Sequence, residues 1–504
     1  MNNTIKPFKK ILIANRGEIA CRVIKTCNNI GIETVAIYSD ADQEALHVKL
    51  ADESKPLGGL TPAESYLNID KIIEIALETN SEAIHPGYGF LSENIEFAKA
   101  CVENNIIFIG PSTEAIEKMG DKVTAIQTAM KAGVPCLPGT YAPVTYAKAK
   151  KVCEEIGYPV MVKASAGGGG IGIRKVDSAE DLEESFKQAQ SLAESNFGNS
   201  KLYVEKYMTN GSHVEVQVLA DLHGNAIHLF ERDCSVQRRN QKIIEETPCT
   251  KLSQQKREEL WNSAIDLVKH INYTNAGTVE FLVDEESNFY FLEMNTRLQV
   301  EHPVTEMTTG LDIVDLQIRI ASGEELSIVQ DDIKQTGHSI EARIYPEDPK
   351  TFLPTIGKIS SLKLPTKKNI RIDASIFEGY EVSPYYEPML GKFIAWGRNR
   401  KECISNFIKY LQSTEIIGIT HNIPLIIEIL QSEGFENHEF STNFLTDVFP
   451  YENNNTSDEE IVAAITIALN EIFGSKSNSH NTNNWKMQGR LSQMNQSSFG
   501  GLGW

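Results

Sequence analysis

Polar and apolar positions alternate most regularly from Glu293 to Glu301. Read as an extended strand, this stretch puts Glu293, Asn295, Arg297, Gln299 and Glu301 on one face and Met294, Leu298 and Val300 on the other. Just upstream, Thr278–Val283 and Phe289–Glu293 are two β-rich runs around the turn-like Glu285-Glu286-Ser287-Asn288. A four-residue loop there sets Glu280 opposite Glu293, with Cβ atoms roughly 5 Å apart. Facing carboxylates repel unless a cation lies between them. With the Asn295 amide they predict an oxygen-rich site for Mg²⁺ (or Mn²⁺), an ion that favours carboxylates plus phosphate oxygens. A plain surface hairpin alternates in the same way, so other phosphate-handling parts must decide.

The same pattern predicts several elements upstream. Ile11–Ala14 reads as a strand, Glu18–Asn28 as a helix and Thr34–Tyr38 as a second strand, a β-α-β rhythm without GxGxxG. The loop His85-Pro86-Gly87-Tyr88-Gly89 follows the strand-like Ala83-Ile84. Glu114 to Ala132 is helix-rich and contains Gly120-Asp121-Lys122. Pro159–Lys163 and Ile173–Val176 are strands joined by Ala164-Ser165-Ala166-Gly167-Gly168-Gly169-Gly170-Ile171-Gly172. Walker and Rossmann loops open a helix; a glycine run between strands is instead a hairpin tip whose N–H groups can wrap phosphate. Lys163 at its base adds a point charge. Val204-Glu205-Lys206-Tyr207 supplies another strand-edge acid and base.

The order of Ile13-Ala14-Asn15-Arg16-Gly17-Glu18-Ile19-Ala20, the His85–Phe90 loop, the glycine hairpin, Arg232-Asp233-Cys234-Ser235-Val236-Gln237-Arg238-Arg239 and Glu293–His302 resembles biotin carboxylase, the ATP-grasp component of biotin-dependent carboxylases. The resemblance runs from about Lys9 to about Pro450. It implies an α/β and α+β, ATP-grasp fold: a Rossmann-like pre-ATP-grasp domain (1–115), a helical linker (116–132), a mobile glycine-rich lid (133–208) and a catalytic and C-terminal domain (209–450).

Carried over residue by residue, the resemblance implies that Lys122, Lys163, Gly168, Gly169, Glu205, Lys206 and Leu282 surround ATP. It gives Glu280, Glu293 and Asn295 to the metal, and Arg297, Gln299 and the Val300 backbone to bicarbonate, with Lys242 adding charge. Glu301 is then the base that takes the bicarbonate proton, and Arg343 stabilises the biotin enolate oxygen. Tyr88, His213 and Gln237 lie on the biotin side, although His213 alone would read as a satisfied structural histidine. The implied reaction is carboxylation of biotin on a separate biotin carboxyl carrier protein, with carboxyltransferase subunits as partners and a homodimer formed around Arg16. Acetyl-CoA, the acceptor of fatty acid biosynthesis, is the expected final substrate; propionyl-CoA, another acyl-CoA and pyruvate are the alternatives.

Two positions depart from the family pattern: Asn240 stands where histidine is common, and Ile171 where a basic residue usually follows the glycines. Each removes a possible positive charge near the nucleotide. Other ATP-grasp ligases share the glycine hairpin and paired acids, but Arg343 and the His85 loop favour biotin carboxylase. A regulatory subunit that had lost catalysis would lack Glu301, Lys242 or Arg343.

Composition adds limits. The 504 residues suffice for two to four domains, and 41% hydrophobic with 23% charged residues is ordinary for a globular protein. A net charge of −20 argues against a nucleic-acid partner. No apolar run is long enough to span a bilayer and no signal h-region opens the chain, so a cytoplasmic location is expected. The 8 cysteines lack zinc spacing and read as reduced thiols, with Cys234 a packing residue. From 451 to 504 a short helix over Ser457–Phe473 and a polar, disordered or docking tail are expected. Trp485-Lys486-Met487-Gln488 has no alternating strands around it, so Lys486 is not expected to carry biotin.

Overall fold

The computed structural model describes residues 8–164 and 173–449. The glycine run with Gly168, Gly169 and Ile171, and the tail with its expected helix, lie outside the described residues. The described chain divides into two compact units, residues 138–207 and the remainder.

The larger unit begins with a five-stranded parallel sheet: β1 (Lys10–Ile13), β2 (Glu33–Tyr38), β3 (Glu53–Pro56), β4 (Ala83–His85) and β5 (Ile107–Phe108), in the order β3-β2-β1-β4-β5. Ile11, Leu12 and Ile13 are all fully buried, as strands covered on both faces require. The helix Gly17–Ile30 follows β1 and stops where Gly31 takes φ +76°, its N–H returning to the Asn28 and Cys27 carbonyls. At the end of β4 the Asn15 amide donates to the carbonyls of Pro86 (2.7 Å) and Tyr88 (2.8 Å), tying the loop to β1. Gly87 is forced there: its φ is +63°, and a Cβ would come within 2.9 Å of Ile19.

The smaller unit is an antiparallel sheet of β6 (Val160–Ala164), β7 (Ile173–Val176) and β8 (Leu202–Lys206), ordered β7-β6-β8, with helices Tyr146–Ile156 and Leu182–Phe197. Val160, Val162 and Ala164 enter its core with Val204 and Phe186, leaving Met161 and Lys163 on the other face.

The second sheet of the larger unit holds the residues of interest. It comprises β9 (Ser212–Ala220), β10 (Ala226–Arg238), β11 (Gln241–Thr247), β12 (Asn275–Val283), β13 (Phe289–Asn295) and β14 (His338–Ile344). After a small pair formed by β15 (Ser361–Lys363) with β18 (Glu415–Ile417), it is completed by β16 (Ile370–Ala374) and β17 (Gly391–Gly397). The antiparallel order is β13-β12-β9-β10-β11-β14-β17-β16. On β11, β14 and β17 one face gives Ile244, Ile340, Ala342, Ile344, Phe393 and Ala395 to the main apolar core. The period-2 pleat sends the intervening Glu245, Glu341, Arg343 and Lys392 to the opposite face. The helix His302–Thr309 packs against β10, β11, β14 and β17.

Two expectations about the acidic hairpin need correction. The Val283–Phe289 pair leaves a five-residue loop, Asp284–Asn288, closed by Asn288 N–H donation to Asp284 Oδ1 (2.7 Å). A register shift between the Glu280 and Phe281 pairs then inserts Leu292 as an extra residue, so Glu280 still faces Glu293. The longer loop and the bulge compensate. The strand also ends at Asn295 rather than Glu301. Thr296 N–H donates to Glu93 Oε1 (2.9 Å) instead of a ladder partner, and Glu301 becomes the N-cap of a helix with Pro at its first turn. Arg297, Gln299 and Glu301 therefore do not continue one strand face.

Candidate active site

Lys242 lies four residues after Arg238, across a two-residue turn. Arg239 and Asn240 take φ of +50° and +64°, and Arg238 pairs with Gln241. Positive φ at both turn positions is the hairpin geometry that favours Asn, which gives Asn240 a backbone role independent of any ligand. The turn pairs Gln237 with Lys242 and sends Lys242 into the buried acids.

There its ammonium donates to Glu215 Oε2 (2.6 Å), Glu280 Oε1 (3.0 Å) and Glu301 Oε1 (2.6 Å). Arg232, fully buried, holds the other side of Glu215 at 2.5 Å and reaches Gln217, Thr278 and Thr305. Arg343 donates to Glu245 Oε1 (2.6 Å) and Glu301 Oε2 (3.1 Å). Burial alone would raise the Glu301 carboxyl; Lys242, Arg343 and Arg232 outweigh it and hold the group well below the usual carboxylate range.

Glu280 accepts from the Asn295 (2.7 Å) and Gln299 (2.7 Å) amides as well as Lys242, and its second oxygen lies 2.8 Å from His213 Nε2. His213 thus sits beside an acid, and the Glu280 charge overcomes burial to raise its pKa. Arg297 donates to Glu93 Oε2 (3.0 Å), Leu298 O (3.2 Å), Gln299 Oε1 (2.7 Å) and Asn295 Oδ1 (2.8 Å). The Val300 carbonyl accepts from the fully buried Lys392 (2.7 Å). Lys392 also lies 3.3 Å from Glu18 and 5.7 Å from the Tyr88 ring centroid, and the Tyr88 hydroxyl donates to Glu18.

The expected metal set fits by donor chemistry. The Glu293 carboxyl has no hydrogen-bond or ion-pair partner among the described residues, and burial plus the facing Glu280 raise its pKa against the pull of Lys122. An acid raised by its neighbour is what a divalent cation would relieve. Two other acid groupings, His213/Glu215/Glu280 and Glu215/Cys234/Glu301, bring ligand atoms within 4.8 Å of one another; Lys242 touches every carboxylate in them, whereas of the expected acid pair it touches Glu280 and not Glu293. Cys234 Sγ lies 3.8 Å from Glu301, and burial first, then Glu215, raises its thiol pKa far up. Burial thus disfavours the thiolate that nucleophilic chemistry needs.

Lys122 opens the helix Lys122–Lys131 on the solvent side, capped by Asp121; Leu282, half-buried, pairs with His213 and Tyr290. In the smaller unit Lys163 is ion-paired with Glu205, and Lys206 donates to the Gly157 (3.1 Å) and Tyr158 (3.0 Å) carbonyls. Sequence reasoning missed Glu93, Glu215, Arg232, Glu245, Glu341 and Lys392. For those on strands the available signal was charge inside otherwise apolar strands; Glu93 lies in a turn and had no such signal.

Three family descriptions cover the chain: biotin carboxylase N-terminal domain over 7–116, carbamoyl-phosphate synthase L chain ATP binding domain over 121–329, and biotin carboxylase C-terminal domain over 341–447. Biotin carboxylase 2 of Bacillus subtilis is 49% identical over 439 residues, 87% of this chain and 99% of its own length. The chain belongs to the biotin carboxylase family. Family membership makes it an ATP-dependent ligase with an ATP-grasp domain. The 2-oxoglutarate carboxylase small subunit of Hydrogenobacter thermophilus is 47% identical and covers 93% of this chain and 100% of its own. Mitochondrial propionyl-CoA carboxylase alpha chain from Sus scrofa is 50% identical over 88% of this chain, which spans only 62% of that relative's length. Among solved structures, the Campylobacter jejuni biotin carboxylase–β,γ-ATP complex has TM-score 0.85 at 46% identity, covering 88% of this chain and 100% of that one. The Hydrogenobacter 2-oxoglutarate carboxylase biotin carboxylase domain, a dimer with MgADP, ADP and bicarbonate, has TM-score 0.84 at 48% identity over 88% and 98%.

Because Lys242 is a principal cation holding Glu301 ionised, Lys242→Met should raise the Glu301 pKa. The acidic limb of bicarbonate-dependent ATP hydrolysis should move up by about one pH unit or more. An unmoved limb would show that Arg343 and Arg232 suffice.

Proposed function

We propose that this chain carboxylates biotin on a separate carrier protein, using ATP and bicarbonate. The observation that carries this reading is Glu301, clamped between Lys242 and Arg343, with Arg297 and Gln299 on the same short segment. Arg297 offers a planar fork of donors to a three-oxygen anion, with Gln299, the Val300 backbone and Lys242 around it. Glu301 takes the bicarbonate proton, and a bicarbonate oxygen attacks the γ-phosphorus while ADP leaves. The carboxyphosphate formed breaks into CO₂ and phosphate. The phosphate takes the ureido N–H proton, Arg343 stabilises the enolate oxygen, and the nitrogen attacks CO₂.

Glu280, Glu293 and Asn295 would hold Mg²⁺ (or Mn²⁺), which neutralises phosphate charge in the transfer. From the family resemblance we carry over Lys122, Lys163, Gly168, Gly169, Glu205, Lys206 and Leu282 as nucleotide contacts. Tyr88, His213 and Gln237 are assigned to the biotin side, with His213 also steadying Glu280. The working assembly is a homodimer with biotin carboxyl carrier and carboxyltransferase partners, in the cytoplasm. No described helix is long and apolar enough to cross a membrane.

The acceptor is chosen by the carboxyltransferase, and our reading is acetyl-CoA. A 2-oxo acid acceptor is the second reading, favoured by the likeness to the 2-oxoglutarate carboxylase small subunit. Reconstitution with each class of carboxyltransferase and its carrier separates them: carboxylation of acetyl-CoA supports the first, and turnover only with a 2-oxo acid replaces it.

Glu301→Gln should keep Mg·ATP binding and lose about 10²–10⁴-fold in biotin-dependent turnover, the usual size of a general-base term. Near-normal turnover would remove Glu301 from the mechanism. Glu293→Gln should raise the Mg²⁺ concentration needed at fixed ATP and leave the biotin response alone. An unchanged Mg²⁺ titration would make the acid pair purely structural.

A further inference from the structure

Behind the Arg343–Glu301 contact lies a second pair of facing acids that the reaction above does not use. Glu341 on β14 is paired in register with Glu245 on β11. Both are fully buried. Directly opposed residues of an antiparallel pair have Cβ atoms roughly 5 Å apart, so two full charges here would repel strongly. Glu245 uses one oxygen to accept from Arg343; its other oxygen, and both oxygens of Glu341, have no hydrogen-bond partner among the described residues. Glu341 is therefore a carboxyl group removed from water, given no donor, and set against another carboxyl. A buried carboxyl without a partner avoids the cost of charge by keeping its proton.

The surrounding charges agree. Across β17, Lys392 faces Arg343 in register and spends its donors on the Val300 carbonyl, with Glu18 at 3.3 Å. On its own strand Glu341 has Arg343, two residues on; from the helix above come Glu301 at the N-cap and His302, which burial keeps neutral. Burial first raises the Glu341 carboxyl far above the ordinary range against the pull of Lys392, with Glu245 adding to the rise. Burial likewise moves Glu245 up to about 7, against Arg343.

We propose that Glu341 and Glu245 share a single proton, and that this pair positions Arg343. With one negative charge, Glu245 holds the guanidinium through both Nε and Nη2, while Nη2 still reaches Glu301 at 3.1 Å and can turn to the substrate oxygen. With two, Arg343 would be drawn back toward the pair. Glu245 and Glu341 are positioning residues, since neither touches the reacting atoms. The inference rests on the reading of Arg343 given above.

The test uses the full chain and free biotin as substrate. Glu341→Gln fixes the pair in its singly charged form. Its ratio of biotin-dependent turnover at pH 9 to that at pH 7 should exceed the wild-type ratio severalfold. Glu245→Gln should lower kcat about tenfold or more while the KM for ATP stays within about twofold. Superimposable pH profiles for wild type and Glu341→Gln, or a shifted KM for ATP with kcat intact in Glu245→Gln, would overturn the proposal. Thermal melting supplies a readout that needs no activity. In wild type the folded Glu341 binds a proton that the unfolded one, with a pKa of about 4.3, releases. Stability from this group is complete below that value and is lost as pH rises toward the folded pKa. The Tm gain of Glu341→Gln over wild type should therefore grow between pH 5 and pH 8; a gain that is flat or negative across that range would overturn the shared proton. A wild type without bicarbonate-dependent ATP hydrolysis would sink the functional reading while leaving the melting result to judge the pair.

Discussion

The ammonium of Lys242 is the contact on which the site depends. Glu215, Glu280 and Glu301 are buried and converge on one atom at 2.6, 3.0 and 2.6 Å. Without a cation there, three acids in a low-dielectric interior could coexist only by taking up protons. Lysine suits this place better than arginine because three donors radiate from a single compact charge. Its position depends in turn on the two-residue turn at Arg239-Asn240, whose positive φ values set the Gln237–Lys242 register. A backbone requirement at an exposed hairpin tip thus decides where the central charge lies.

The same sheet face carries charge across most of its width. Glu215 meets Arg232, Glu245 meets Arg343, and Asp373 on β16 meets Arg371 and is paired in register with Lys392. Removing so many charges from water costs free energy that their mutual attraction only partly returns, so apolar packing would stabilise the fold at least as well. What such a layer provides is a field fixed in advance, with donors already oriented when charge develops. The apolar core lies on the opposite face of these strands, which lets one sheet serve stability on one side and electrostatics on the other.

Sequence made the facing acids and the strand pair flanking the glycine run legible, because each is local and has a period or spacing. The Glu280–Glu293 pairing emerged correctly although both the loop length and the strand continuity differed, since the bulge at Leu292 restored the count. The helix start at Glu301 was signalled by Pro303 and was overridden by the regular alternation before it. Glu215, Arg232, Glu245, Glu341 and Lys392 were out of reach for another reason. Each lies on a different or distant strand, and only the order β9-β10-β11-β14-β17 brings them onto one face. Charged residues inside apolar strands mark such a face but do not say which strands share it.

Arg297 shows how the resting network constrains ligand entry. Two amides, Asn295 and Gln299, each accept from Arg297 through oxygen and donate to Glu280 through nitrogen. Together they link the guanidinium to the carboxylate and leave neither end free. Asn295 Oδ1 cannot serve Arg297 and a cation equally well. A metal-ligand role for Asn295 draws its oxygen away and frees Nη2 of Arg297 toward an anion. Gln299 can follow by turning its amide, since its NH₂ would then donate to the anion while Glu280 turns to the metal. Exchanging neutral amide oxygens for an anion is favourable for a guanidinium, because direct Coulomb attraction between opposite charges is added to the hydrogen bonds. Under the proposed chemistry, the metal and bicarbonate positions would therefore be coupled through two amide side chains.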